Sequence, residues 1–161
     1  MPVFMLTFHA YRSWNVDRRH VVRGEWGIKP PNEKLARHRD EIAGHDAARF
    51  DGEQQIVLRD MAIDACGRRD IRLHGGSVTP THVHLLVSWR EERDVGEICE
   101  KLKSVLGWAL SKQRGGKGHR WFSRGEDTTP VERREHFDYV LGKYFPKHVK
   151  EGGICWREGT S

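Results

Sequence analysis

Two histidines one residue apart, His82 and His84, lie in the apolar run Thr79 to Trp89, Thr-Pro-Thr-His-Val-His-Leu-Leu-Val-Ser-Trp. A β-strand sends successive side chains to opposite faces, so a strand here puts both imidazoles on one face and Val83, Leu85 and Val87 on the other. Neutral imidazole is a common ligand of divalent metals, and strand spacing presets two ligand directions at once. The competing explanation is a partly solvated polar face that carries two histidines and no ion. A second stretch with chemical content is Arg114 to Arg124, Arg-Gly-Gly-Lys-Gly-His-Arg-Trp-Phe-Ser-Arg, which contains no acid. Its glycines expose backbone N–H groups, Arg114, Lys117, Arg120 and Arg124 carry charges suited to phosphates, and Trp121 with Phe122 offers flat faces to bases. The alternative for this stretch is a flexible surface loop whose aromatics tuck into the core.

The elements that must position these residues follow from periodicity. Pro2 to Ala10 reads as a central strand, apolar on both faces. Gln54 to Arg69 is an amphipathic helix with Val57, Leu58, Met61, Ala62 and Ala65 on one stripe. Ile71 to Val78 and Thr81 to Trp89 read as adjacent strands turning near Thr79 and Pro80. Asp94 caps a second helix, Val95 to Gln113. Thr129-Pro130-Val131-Glu132 carries a capping-box pattern that predicts a helix start, with the helix continuing through Phe137, Val140, Leu141, Tyr144 and Phe145 until Pro146 kinks or stops it. Gly152-Gly153 then releases a short apolar tail, Ile154-Cys155-Trp156. Residues 14 to 51 are polar and broken by glycine and proline, with a short helix expected over 32 to 42 and Asn32 as its cap. Strand, helix, strand, strand, helix matches an α+β, ferredoxin-like plan, an antiparallel sheet with helices on one face and a later C-terminal helix. The other face, with His82 and His84, is expected to stay open for a ligand or partner.

The 161 residues carry Lys+Arg 28 against Asp+Glu 23, a formal charge of +5 and a pI near 9.3. That is a moderate lean toward a polyanionic partner. A hydrophobic share of 37% with 32% charged residues excludes a disordered chain, and the length suits one domain with an ordinary core. Cys66, Cys99 and Cys155 are far apart and lack Cys-x-x-Cys spacing, which argues against a disulfide framework or a cysteine zinc site and for a reducing setting. No run approaches the roughly 18 apolar residues of a membrane span. The opening residues do not read as a targeting leader, so a cytoplasmic protein is expected.

Together these pieces resemble the single-tyrosine HUH transposases, especially the small REP-associated tyrosine transposases of bacteria. Pro80-Thr81-His82-Val83-His84-Leu85-Leu86-Val87 is similar to that family's His-hydrophobic-His strand, Trp121 to Gly125 to its aromatic-Gly turn, and Tyr144 to Trp156 to its tyrosine helix and exit. The similarity spans most of residues 1 to 157, read as one domain over 1–161 with 14–51 as an insertion. It implies a ferredoxin-like catalytic fold, hairpin-forming single-stranded DNA as substrate, a 5′-phosphotyrosine intermediate, and assistance by Mg²⁺ or Mn²⁺. Both monomeric and homodimeric assemblies fit the resemblance. In that family the nucleophile is followed one helical turn later by a polar residue that completes the metal site. Tyr144 has His148 at that spacing, which makes Tyr144 the catalytic residue and His82, His84 and His148 the metal set. Tyr139 is the other candidate nucleophile, but Lys143 stands there, and an ammonium has no lone pair for a metal. Two features depart from the pattern: histidine replaces the usual residue, and Pro146 between Tyr144 and His148 distorts i+4 helical geometry.

Residue chemistry is consistent with that implication. A phosphodiester repels nucleophiles, so a cation that polarises its oxygen offsets the charge that builds up, and a phenol with pKa about 10 must be aimed and deprotonated to attack. Two rival readings use the same residues. A non-catalytic, ferredoxin-like module that binds single-stranded nucleic acid needs neither the histidines nor a metal. A zinc-dependent hydrolase using His82, His84 and His148 with a bound water leaves no protein–DNA adduct.

Overall fold

The computed structural model describes residues 1–13, 23–24, 27–28, 32–43, 47–115 and 118–159, with backbone alone at 23, 24, 27, 28 and 40. Much of 14–51, and Lys117, lie outside the described residues. In chain order the elements are β1 (Val3–His9), β2 (Arg23–Gly24), β3 (Gly27–Ile28), α1 (Glu33–Glu41), α2 (Gly52–Gly67), β4 (Arg72–Val78) and β5 (His82–Ser88). There follow α3 (Val95–Arg114), β6 (Asp127–Pro130), α4 (Arg134–Tyr139), a π-helical turn (Val140–Tyr144), α5 (Phe145–Lys147), a 3-10 turn (His148–Glu151) and β7 (Ile154–Arg157).

Five strands form one antiparallel sheet in the order β6-β1-β5-β4-β7, and β2 pairs with β3 separately. The first four places are the ferredoxin-like order, in which two strand-helix-strand units interleave; β7 adds a fifth strand beyond β4. Both crossover helices start on acids that satisfy orphan N–H groups. Asp51 accepts from the Gln54 amide at 2.9 Å while the Gln54 side chain accepts from the Asp51 amide at 3.0 Å, and Asp94 accepts from the Glu97 amide at 2.9 Å. Within residues 14–51, Asn32 caps α1 as expected, accepting from the Leu35 amide at 2.9 Å.

One face of the sheet is an ordinary core. Leu6, Phe8, Val83, Leu85 and Val87 meet Leu58 and Ala62 of α2 and Leu102, Leu106 and Leu110 of α3, all buried. Strand alternation therefore sends His82, His84, Leu86 and Ser88 to the opposite face. That face is only partly open: Leu86, Val131, Val140 and Phe145 form a second, smaller core under the C-terminal helical segment.

The helix expected to start at Thr129-Pro130-Val131-Glu132 begins later. Asp127–Pro130 is an edge strand paired with β1, and Val131 donates its N–H to the Val3 carbonyl at 2.8 Å. An exposed edge of β1 needs partners for its backbone groups, and proline is tolerated on an edge because its missing N–H faces away from the ladder. Pairing outweighs a local capping signal whose helix has no buried stripe until Val140. Arg133 takes the cap position with no side-chain cap bond. Pro146 does not stop the helix either. Its absent N–H is absorbed by a wider turn, in which Phe145 donates to the Val140 carbonyl five residues back.

Candidate active site

Strand register builds the site. Thr7 of β1 and Ser77 of β4 lie on either side of His84, and His9 lies beside His82. Four imidazoles and a phenol then gather on this face. The rings of His82 and His84 are 5.6 Å apart and within 6° of parallel; those of His84 and His148 are 4.7 Å apart and within 11°. Tyr144 stands edge-on to both, 5.5 Å from His84 and 4.7 Å from His148, and His9 meets His82 edge-on at 4.7 Å. Tyr144 and His148 reach the sheet because the chain stays helical past Pro146. The π-turn ends at Tyr144, and the α-helical turn Phe145–Lys147 that follows sets Tyr144 and His148 at i,i+4 spacing on the sheet side.

Three hydroxyls fix the imidazoles through the same nitrogen. Thr7 Oγ1 is 2.9 Å from His84 Nδ1, Ser77 Oγ is 2.7 Å from His148 Nδ1, and Thr81 Oγ1 is 2.7 Å from His82 Nδ1. With Nδ1–H donating to a hydroxyl oxygen, Nε2 becomes the lone-pair atom, the arrangement in which imidazoles bind metals. His9 Nε2 is tied to Asp127 Oδ2 at 3.0 Å. The end of the helical segment is held just as closely. Gly152 ends it with φ +81, and Gly153 donates its N–H to the His148 carbonyl at 3.0 Å. A Cβ at Gly153 would collide with the Val78 carbonyl, so only glycine lets the exit cross β4 and keep His148 over Ser77.

Burial sets the charge states. His84 is held well below the ordinary imidazole value by desolvation, reinforced by repulsion from His148, His82 and His9. Desolvation also lowers His148, against the pull of Glu151, and lowers His9 against Asp127. These rings are neutral at pH 7 and keep their lone pairs. Desolvation raises the Tyr144 phenol, and Glu151 and Tyr139 raise it further, so the resting side chain is protonated. Donor chemistry therefore fits a divalent cation. Among the described residues, however, no group of three or more His, Cys, Asp or Glu side chains is arranged to hold a metal ion as it stands. The three histidines are oriented donors rather than a closed cage.

Tyr139 is 52% exposed, its ring 6.5 Å from Tyr144. It takes no place among the imidazoles. Sequence reasoning missed His9, Thr7, Ser77, Thr81 and Asp127. Thr7 and His9 alternate with Leu6 and Phe8 along β1, a polar face that an all-apolar reading of that strand overlooked.

The basic stretch divides. Arg114 and Arg124 are exposed, and the Arg120 guanidinium lies 4.9 Å from the Tyr11 ring. Trp121 and Phe122 are buried in the main core, with Trp121 Nε1 donating to Ser111 Oγ at 2.9 Å, so they do not offer faces to bases. Backbone bonds from Tyr11 to the Trp121 carbonyl at 2.8 Å and from Ser123 to the His9 carbonyl at 2.9 Å tie the stretch to the end of β1, and both aromatics pack in the main core. Arg120, Arg124, Lys103 and His119 instead line a cavity of about 620 Å³ on the α3 side of the sheet, away from the imidazoles.

No protein family matches the chain in a scan of family descriptions, and a search of curated proteins returns no match. Among solved structures, a REP-associated tyrosine transposase bound to a REP hairpin superposes with a TM-score of 0.57 at 12% identity, over 94% of this chain and 68% of that one. A Deinococcus radiodurans protein assigned as a transposase gives a TM-score of 0.45 at 15% identity, over 91% of this chain and 89% of that one, a fit too loose to bear on the site. The α+β fold and C-terminal helix are thus similar to those of a tyrosine transposase.

Proposed function

We propose that the protein is a transposase-like, metal-dependent single-stranded DNA endonuclease and strand transferase, with Tyr144 as nucleophile. The observation that carries this reading is the phenol edge-on to His84 and His148, over a strand that aims His82 to the same side. Tyr144 Oη attacks the scissile phosphorus, the P–O3′ bond breaks, and the 3′ oxygen leaves and takes up a proton. The products are a 5′-phosphotyrosine on the enzyme and a free 3′-OH. Because the phosphotyrosine bond preserves the energy of the one broken, attack by another 3′-OH reverses the step and joins strands without ATP.

Thr7, Ser77 and Thr81 hold the imidazoles at fixed angles, and burial favours the uncharged form of His84 and His148. His82, His84 and His148 would hold Mg²⁺ or Mn²⁺, which supplies positive charge against the scissile phosphate and favours loss of the phenol proton that burial retains. Incoming phosphate oxygens or water would complete a ligand set that the histidines leave open. Hairpin-forming single-stranded DNA is the proposed substrate, consistent with the fold's likeness to a transposase solved with a REP hairpin.

Labelled single-stranded hairpins incubated with Mg²⁺ or Mn²⁺ and run on a denaturing gel test this reading. A metal-dependent covalent adduct is expected with the natural protein and with Tyr139→Phe, lost in Tyr144→Phe and His82→Ala. Cleavage without an adduct that survives Tyr144→Phe would move the nucleophile to a water. Hairpin binding with no cleavage, unaffected by His82→Ala, would favour the non-catalytic binding module.

A further inference from the structure

A second charged surface lies on the tyrosine side of the sheet, at the other end of the same helical segment. Between the start of α4, the first residue of β1 and the ends of β4 and β7 runs a groove of about 590 Å³. Arg72, Arg133, Arg134 and Arg157 line it against two carboxylates, Glu132 and Glu158. Its floor is apolar, with Phe137 and Leu141 from the helix and Val3 from β1. Phe137, Leu141 and Tyr144 all pack into the same small core, so one helix face runs from this floor to the nucleophile. Seven residues at about 1.5 Å rise put the two about 10 Å apart along the helix.

The guanidiniums are not equally committed. Arg72 is bound by Glu158 through Nε at 3.0 Å, Arg134 by Asp138 at 3.1 Å, and Arg157 donates to the Leu141 carbonyl at 2.7 Å. Arg133 is exposed and has no ion pair among the described residues. It caps no amide either, because the helix start it occupies uses no side-chain bond. The ion pairs of Arg72 and Arg134 are exposed ones of the kind that exchange readily for a phosphate.

We infer that this arginine-lined groove is a second DNA-binding surface, which takes phosphates of the strand flanking the one cleaved at Tyr144. The inference rests on the single-stranded DNA reading of the tyrosine site and adds where the rest of the substrate lies. Guanidinium forks match phosphate geometry, and an apolar floor beside them suits the sugar edges of an unpaired strand.

Fluorescence anisotropy with short and long oligothymidylates, made in the Tyr144→Phe protein so that cleavage does not intrude, tests the groove. Long strands are expected to bind more tightly than short ones. Arg133→Glu and the pair Arg72→Gln/Arg133→Gln are expected to weaken long-strand binding by about fivefold or more and to lower the salt slope by about 0.7 for each phosphate no longer neutralised. Short-strand binding stays unchanged, and Arg133→Lys keeps most of the long-strand affinity. Unchanged long-strand affinity and salt slope in the folded glutamate and glutamine variants would overturn the inference, as would equal competition by inorganic phosphate or thymidine monophosphate at matched ionic strength. The enzyme reading fails by a different result, hairpin binding by the natural protein with no metal-dependent cleavage or adduct. That outcome leaves the groove measurement intact, because anisotropy reads binding alone.

Discussion

α3 and the segment Arg134–Glu151 pack on opposite faces of the sheet, and they are built on opposite principles. α3 keeps a single helix type over 20 residues, starts on the Asp94 cap, ends on Gly115 with φ +81, and buries Ile98, Leu102, Leu106 and Leu110. The other stretch passes through α, π, α and 3-10 geometry within 18 residues and starts without a side-chain cap. Its buried residues are few, Val140, Phe145 and His148. Local rules stabilise α3. The second stretch is held by the sheet beneath it, through the small core, the Ser77–His148 bond and the Gly153 exit. The stretch nonetheless stays helical across a proline and keeps Tyr144 and His148 on the same side.

The widest break in this comparison is expected from Leu106→Ala. It removes a fully buried side chain from α3 and should cost about 2–5 kcal/mol of stability, with adduct formation preserved at temperatures where the variant stays folded. Denaturant unfolding measured beside the gel assay checks both halves. Pro146→Ala should do the reverse. Restoring an N–H lets the π-turn relax toward an ordinary α-turn and rotates Tyr144 against His148, so adduct formation is expected to fall by roughly tenfold to a hundredfold while the melting temperature holds or rises.

Ser77→Ala separates positioning from folding at one atom. Loss of the hydroxyl on His148 Nδ1 should weaken Mn²⁺ dependence of cleavage by about tenfold or more and cost about 1 kcal/mol of stability. Metal titration of the cleavage rate tests the first effect and thermal melting the second. The smallest effect is a pH signature confined to the histidine face. His9, His74, His84 and His148 all have folded-state values below the ordinary imidazole value of 6.5, chiefly through burial. Their contribution to stability is complete above that value and is lost as pH falls through the folded values, because protonation then favours the unfolded chain. Melting temperature should decline once the pH drops below about 6.5. A flat profile from pH 7 to 5 would contradict the burial that defines this face.

Much of the fold was legible because its signals are local. The Asp94 cap, the apolar stripe of α2 and the alternation in β5 each act within a few residues, and the structure keeps them. The pairing of His82 with His84 on one face follows from strand geometry alone, and Tyr144 with His148 from their spacing. What misled was also local. Thr129-Pro130-Val131-Glu132 has the form of a helix start, yet an unpaired edge of β1 claims Thr129 and Pro130 for β6. Trp121 and Phe122 look available for bases in a glycine-rich basic stretch, yet backbone bonds tie that stretch to the end of β1 and both rings are buried in the core.

The amino-acid order by itself determined which face carries imidazoles, where α3 begins, and which tyrosine has a histidine at helical spacing. These depend on periods of two and 3.6 residues and on caps that span three. Tertiary structure alone decided that Thr7, Ser77 and His9 join the site. Thr7 meets His84 across 77 residues of chain and Ser77 meets His148 across 71, and sheet register is what brings them together. It also decided that a helix interrupted by proline stays helical, and that four arginines from β4, the start of α4 and β7 border one groove. Packing between elements sets both outcomes, and no short window of sequence contains them.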